Sequence, residues 1–219
     1  LASSRAAVRS ATCLSNLRQA ATGMNTYAGG TTVSAGTLTG NTDSLQGDIT
    51  DNAQVIFDQA ADGEYADVIS GTGTLVKQGA GILTLSGDNT LTGETTVDAG
   101  TLHLEGSLAG DLTLNSGTAL TGTGTVGDGD DLLDVNGATV SVGNSIGTMN
   151  VNGDVDFNAA SILAMEVQAG TTNSDLLNVS GAAFFADGAT FSISQGVIIT
   201  ATKKEKIIAM EALAGIGLI

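Results

Sequence analysis

The sequence predicts an all-β protein, a right-handed parallel β-helix of roughly eight coils with short helical segments at both termini. The first observation is the stretch Gly71 to Glu105, where Leu, Ile and Val alternate with Thr in short runs separated by Gly, Asn and Asp. The second is composition: 31 Gly, no Pro, no Trp, 3% aromatic and 42% hydrophobic residues. That apolar fraction is too high for disorder, and it predicts a core of Val, Leu, Ile and Ala in thin, regular layers.

The third observation is an internal repeat. Residues 25–38 align without gaps on residues 89–102, an offset of 64 residues. We interpret this offset as three coils of about 21 residues, each burying its apolar face by stacking on its neighbours. Asn-Gly, Ser-Gly and Asp-Gly turns would also suit the hairpins of a sandwich, but the regular spacing favours a β-helix.

The chain divides into three predicted segments. Residues 1–23 lack alternation and predict a helix. One interpretation is a cap on the β domain. The other rests on Arg5-Ala6-Ala7 and Cys13 to Gln19, which resemble the end of the N-terminal helix of type IV pilins and pseudopilins. Residues 24–196 form the predicted β-helical domain. Residues 197–219 predict an amphipathic helix or tail that caps the open end of the solenoid, with apolar residues at i+3 spacing: Ile207, Met210, Leu213 and Ile216.

Charge and cysteine content exclude several classes of protein. The net charge is −16, and Lys77 is the one basic residue between Arg18 and Lys203. A polyanionic body argues against nucleic acid and against anionic membranes as partners. The single Cys13 excludes an internal disulfide framework. Neither a signal peptide nor an apolar run of about 18 residues is visible, so we expect a soluble piece whose targeting parts belong to a parent protein.

The segment from Gly71 to Leu104 is similar to the passenger-associated repeat of bacterial autotransporters. Gly122 to Val126 and Gly143 to Thr148 resemble the tail of the same passengers, with Val142 where a Pro normally precedes Gly-Asn-Ser. The resemblance implies export by type V secretion in a Gram-negative bacterium, an attached outer-membrane translocator barrel that is not recognisable in these residues, and display or release outside the cell. The positions that carry the repeat pattern are Gly79, Gly81, Leu83, Leu85, Gly87, Asn89, Gly93, Thr95, Val97, Gly100, Thr101 and Leu102.

Catalytic machinery is not evident in the sequence. The only histidine, His103, lies between two leucines and is expected to face solvent alone, without the partners that a hydrolase triad needs. Cys13 likewise has no second histidine to partner it and reads as a structural thiol. Lys77, the only basic residue in the body, belongs to the repeat and offers no base of the kind that β-helical lyases use.

One stretch suggests a metal. Gly127 to Leu133 fits G-x-G-x-D-x-U, which resembles the calcium-binding nonapeptide of RTX β-rolls, and its carboxylates suit a hard cation. Calcium at Asp128, Asp130 and Asp131 is therefore a hypothesis, set against a single copy of the motif and Val126 in place of its first Gly. A solvated acidic turn is the alternative.

We therefore expect a non-enzymatic, secreted or surface-displayed passenger segment that serves as a stiff stalk or adhesin scaffold, with no cofactor other than the hypothetical calcium. Two alternatives remain open: a carbohydrate-active β-helix enzyme, either lyase or hydrolase, and a self-assembling filament subunit. The expected partners are the translocator barrel of the parent protein, a host-surface or glycan ligand, and further copies contacting through the coil ends.

Overall fold

A computed structural model describes residues 30–143, 145–168 and 173–194, so the predicted helical segments 1–23 and 197–219 lie outside the described residues. The described chain forms 21 strands, and every pairing between them is parallel. The strands are β1 (Thr31–Val33), β2 (Thr37–Gly40), β3 (Ile49–Asp51), β4 (Gln54–Asp58), β5 (Gly63–Tyr65), β6 (Ile69–Gly71), β7 (Thr74–Gln78), β8 (Ile82–Leu85), β9 (Asp88–Leu91), β10 (Thr95–Val97), β11 (Thr101–Leu104), β12 (Ser107–Leu108), β13 (Leu112–Leu114), β14 (Ala119–Gly122), β15 (Thr125–Val135), β16 (Thr139–Val142), β17 (Thr148–Phe157), β18 (Ile162–Glu166), β19 (Leu176–Val179), β20 (Ala183–Phe185) and β21 (Thr190–Ser194).

The strands stack into three sides. Side one contains β1, β3, β6, β9, β12, the first parts of β15 and β17, and β19, whereas side two contains β2, β4, β7, β10, β13, the last parts of β15 and β17, and β20. Because β15 and β17 run through the corner between them, these two sides form one sheet of 14 strands. Side three is a separate sheet of seven strands, β5, β8, β11, β14, β16, β18 and β21. The predicted parallel β-helix is thereby confirmed, with about seven complete turns described.

The interpretation of the 64-residue offset as three coils is wrong in register. Thr31 pairs with Ile49, Ile49 with Ile69, and Ser70 with Thr90, so three coils carry Thr31 to the level of Asn89 and not to its sequence counterpart Thr95. Thr95 lies instead on side two, one corner further along the chain. The repeated unit is a strand, a Gly-containing corner and a second strand, and any corner of the solenoid accommodates it. Coil length also varies, from 17 residues between Thr37 and Gln54 to 28 between Val155 and Ala183.

The core is one continuous column of inward-facing side chains. On side three, Leu83 pairs with Leu102, Leu102 with Leu120, and Leu120 with Val140, and all four are 0% exposed. Strand alternation places Thr84, His103, Thr121 and Ser141 on the outer surface of the same strands. Some coils approach so closely that only Gly fits: a Cβ on Gly93 would lie 1.8 Å from the carbonyl oxygen of Gly73. The described residues contain no helix that is long and apolar enough to cross a membrane.

Candidate functional site

Buried polar side chains join successive coils. Asn89, 1% exposed, accepts the N–H of Ile69 at 2.9 Å and donates to the carbonyls of Gly87 and Ser107 at 2.9 and 3.0 Å. Its amide therefore links three levels of the solenoid. Because buried polar groups without partners are costly, an amide that is satisfied by three coils at once fixes their register.

Lys77 plays a related part from an unexpected position. The side chain is 1% exposed, and its ammonium donates to the carbonyl oxygens of Gln78, Gly79 and Ala99 at 3.2, 2.8 and 2.8 Å. Burial lowers the pKa of Lys77, and the negative charge of Asp58 opposes that change. All three donors are used by backbone carbonyls, so Lys77 joins coils and is not a free catalytic base.

Asp51 is buried at the corner between sides one and two. One carboxylate oxygen, Oδ1, accepts the N–H of Ala53 at 2.8 Å, whereas Oδ2 is the one buried side-chain polar atom of the described residues without a hydrogen-bond partner. Burial raises the pKa of Asp51, and the N–H groups of Ala53 and Val55 act in the opposite direction. The corner therefore holds a carboxyl group whose charged form is poorly stabilised.

His103 lies on the outer surface of side three, but it is not alone. Its Nδ1 is 2.8 Å from the hydroxyl of Thr121, its Nε2 is 3.2 Å from Oε1 of Glu105, and its side chain is only 12% exposed. The expectation of an isolated, exposed histidine is wrong, because the next coil brings Thr121 opposite His103 in the register of β11 and β14.

The Thr121–His103–Glu105 trio has the order of a hydroxyl, an imidazole and a carboxylate, which acyl-transfer enzymes use. Acyl transfer also needs two N–H groups aimed at the developing oxyanion. The trio lies on a sheet in which β11 is hydrogen-bonded to β8 and β14, and β14 to β16, so the neighbouring N–H groups are used by the ladder. The arrangement orients the ring and carries no further catalytic feature within the described residues.

Acidic residues Asp128, Asp130 and Asp131 lie at a bulge in β15, where the register with β17 shifts between Val126 and Asp131. Oδ2 of Asp131 accepts the N–H groups of Asp128 and Gly129 at 2.7 and 3.2 Å, so this carboxylate closes its own loop. Among the described residues, no three His, Cys, Asp or Glu side chains are grouped so that they could hold a metal ion. Calcium at this loop stays a prediction.

Two depressions of about 380 Å³ each lie on the outer surface of the last coils. One, on side three, contains Ser141, Glu166 and Asp175, and the two oxygens of Asp175 accept the N–H groups of Gly147 and Glu166 at 2.9 and 2.6 Å. The other contains Asp156, Asn158 and Phe184. Neither was predicted. The adjacent pair Phe184-Phe185 was the available signal, since alternation in a strand must turn one ring outward.

The repeat-motif residues are placed where stacking requires them. Leu83, Leu85, Val97 and Leu102 are fully buried, and Asn89 and Thr95 are buried polar residues. The glycines lie at corners: Gly79 and Gly100 have positive φ, while a Cβ on Gly81 or Gly87 would lie 2.4 or 2.5 Å from the backbone of the coil below. Thr101 begins β11.

Comparisons with known proteins agree with this architecture. Residues 22–39 and 75–104 match the family model of the passenger-associated transport repeat. The chain is 36% identical over 130 residues to an extracellular serine protease of Serratia marcescens, covering 59% of this chain and 12% of the relative. It is 42% identical over 83 residues to the adhesin BmaC autotransporter of Brucella suis, covering 36% of this chain and 2% of the relative.

The chain thus spans only a small part of the length of these two relatives, and what either whole protein does is not transferred with the match. Residues 30–39 and 75–104 of the family-model match lie in the described solenoid and include the buried Asn89. The repeat match, the two relatives and the three-sided parallel solenoid together show that this chain is similar to segments of type V secretion passenger domains.

Proposed function

We propose that this passenger segment is a stiff, non-enzymatic stalk or adhesin scaffold. The observation that carries the proposal is the uninterrupted stack: a single column of buried apolar residues runs through the described coils, from Val33 to Leu163. A solenoid whose repeats contact only their neighbours gains length without changing its cross-section, which suits a spacer that carries other surfaces away from a membrane.

The use of the polar groups supports a non-enzymatic role. Asn89 and Lys77 form hydrogen bonds to backbone groups of neighbouring coils. Exposed carboxylates do the same: Asp48 accepts the N–H of Val68, Asp62 that of Ile82, and Asp111 that of Leu132, all between successive coils. A protease or glycosidase keeps such groups free for substrate.

The proposed partners follow from the family. Export requires a translocator barrel in the parent protein, and an adhesive role requires a ligand on the host surface, either a protein or a glycan. Self-association through coil ends is a further proposed contact, since an uncovered coil end presents open strand edges.

The test has two parts. The chain, placed between a signal peptide and a translocator barrel in a Gram-negative host and carrying an epitope inserted at Gly129, is expected to be displayed on intact cells. Nothing lies within 4 Å of the Cβ position at Gly129, so the insertion is expected to be tolerated. A Leu102→Asp variant, which puts a charge into the core, is the control that should lose display.

The purified chain is then incubated with acidic polysaccharides and with unstructured peptides. No new reducing ends, unsaturated ends or amino termini are expected. Turnover that is lost in Glu105→Gln or His103→Gln would overturn the non-enzymatic assignment and would place the reaction at the Thr121–His103–Glu105 trio.

A further inference from the structure

A column of outward-facing side chains runs along side two and ends in the last two described coils. The register of β13, β15, β17 and β20 aligns Thr113, Asp134, Asp156 and Phe184 in one outward-facing column. Residues of neighbouring strands in such a column are adjacent, with side chains about 5 Å apart. The column therefore places two carboxylates beside each other and an aromatic ring beside the second one.

The two carboxylates are treated differently by their surroundings. Asp134 accepts hydrogen bonds from the amides of Asn136 and Asn158 at 2.8 and 2.7 Å. The same Asn158 amide also donates to Oδ1 of Asn136 at 2.8 Å, so both of its N–H groups point towards the preceding coil and away from Asp156. Asp156 accepts no side-chain hydrogen bond from the described residues, and its charge lies beside that of Asp134, which is unfavourable without a counter-charge.

No described residue supplies that counter-charge. Of the 23 Asp and Glu residues, only Glu205 and Glu211 lie outside the described ranges, whereas of the seven Lys and Arg residues only Lys77 lies inside them. Lys77 is 1% exposed and held by three carbonyls. A cation that neutralises Asp156 must therefore come from outside the described solenoid.

Phe184 determines the kind of cation. Its side chain is 54% exposed, and it lines the depression of about 380 Å³ together with Asp156 and Asn158. An aromatic face attracts a weakly hydrated organic cation more than a strongly hydrated metal ion. A guanidinium group is planar, stacks on such a ring and donates to a carboxylate at the same time.

We propose that Asp156 and Phe184 form a binding site for an arginine side chain on the surface of a partner protein. The guanidinium lies on the Phe184 ring and donates to the Asp156 carboxylate. This inference adds a ligand class to the adhesive role proposed above and rests on that role only for its biological setting.

The experiment uses the purified chain and a probe of defined chemistry, acetyl-Gly-Arg-Gly-amide, followed by nuclear magnetic resonance. The ring signals of Phe184 and the backbone amides of Asp156 and Phe184 are expected to shift and to saturate. The matched probe acetyl-Gly-citrulline-Gly-amide has nearly the same shape and no charge, and it is expected to bind at least fivefold more weakly.

Three variants separate a built site from general attraction to an acidic surface. Phe184→Ala is expected to weaken binding about threefold and Asp156→Asn at least fivefold, since each removes one of the two contacts. Asp187→Asn removes one exposed charge from the same coil and should change affinity less than twofold. All three positions face outward, and circular dichroism is expected to show unchanged folding.

Equal losses in Asp156→Asn and Asp187→Asn, or no saturable shift at Phe184, would overturn the proposed site. Such a failure would leave the stalk assignment intact, because display and the absence of turnover are measured without this ligand. Loss of display with retained arginine binding would contradict the stalk assignment and leave the proposed arginine site intact.

Discussion

The seventh and eighth coils contain matching residues with different burial. Met149, Val151 and Phe157 are 0%, 1% and 1% exposed, whereas their register partners in the last described coil, Leu177, Val179 and Phe185, are only partly buried against the core. The positions within the coil are the same, and the difference is whether a described coil stacks on both faces or on one. Burial in this protein is therefore supplied by neighbours along the axis.

Polar side chains add a second contrast, between an amide that faces the core and one that faces outward. Asn89, between two coils, is buried and makes three hydrogen bonds to backbone groups. Asn178, in the last described coil, is exposed, and its amide donates to the side-chain oxygen of Asn150 at 3.0 Å. An amide that satisfies buried backbone groups stabilises far more than one that replaces a hydrogen bond to water.

The largest change in the free energy of unfolding is expected on substitution of the paired phenylalanines. Phe157 and Phe185 are stacked with ring centroids 4.6 Å apart, yet only Phe157 is fully enclosed. Phe157→Ala should lower the free energy of unfolding by about 3–5 kcal/mol, because it leaves a cavity between coils. Phe185→Ala should cost about 1 kcal/mol, since less apolar area returns to water. Urea denaturation followed by circular dichroism measures both. Equal costs would mean that the eighth coil is covered as fully as the seventh.

The second effect compares the two asparagines. Asn89→Ala leaves the buried N–H of Ile69 and the carbonyl of Ser107 without their partner and should cost about 2–3 kcal/mol. Asn178→Ala is the control, and it should change stability by less than about 0.5 kcal/mol. Urea denaturation followed by circular dichroism measures both changes in stability. A small loss in Asn89→Ala would show that water or a shifted coil replaces the amide.

The smallest effect concerns the buried charge at Asp51. Burial raises the pKa of this group in the folded state above its ordinary value, so the folded protein binds more protons than the unfolded chain between the two pKa values. Stability contributed by Asp51 is present below that interval and is lost as pH rises through it. Asp51→Asn, which keeps an oxygen for the N–H of Ala53, should therefore stabilise the protein at pH 7 by on the order of 1 kcal/mol.

At pH 3 the difference between Asp51→Asn and the unsubstituted chain should nearly vanish, because both side chains are then neutral. Denaturation at the two pH values gives the comparison, and Asp98→Asn, at an outer corner, is the control for a general change in net charge. A destabilised Asp51→Asn at pH 7 would show that the second oxygen has a partner which favours the carboxylate.

The sequence allowed the fold to be predicted because its signals are local. Alternation at Leu83, Leu85, Leu102 and Leu104 identifies strands and their inward faces without reference to any other residue. Contacts between coils were not predictable in the same way. His103 meets Thr121 only because that coil advances 18 residues, and coil length changes from one level to the next. The interpretation of the 64-residue offset as three coils is wrong for the same reason.

The inward positions of Asp51 and Lys77 also contradict what residue type alone suggests. Charged side chains are normally exposed, and their burial here is accompanied by hydrogen bonds to backbone groups. Lys77 donates to two carbonyls of its own coil and to that of Ala99 in the next coil, whereas Asp51 accepts one N–H from Ala53, two residues along the chain. The depression beside Phe184 likewise arises from the stacking of β17 and β20. Features built between coils can be predicted only when the register, the pairing of residues in neighbouring coils, is known. That register was the least predictable quantity.

Backbone amide hydrogen exchange tests most directly whether stability comes from stacking along the axis. Exchange is expected to be slowest in β7 to β15 and to quicken together in β19, β20 and β21, which belong to three different sides of the same last described coil. Protection that instead followed each side, with β21 as slow as β11, would show that the sheets are stabilised individually and would contradict this account.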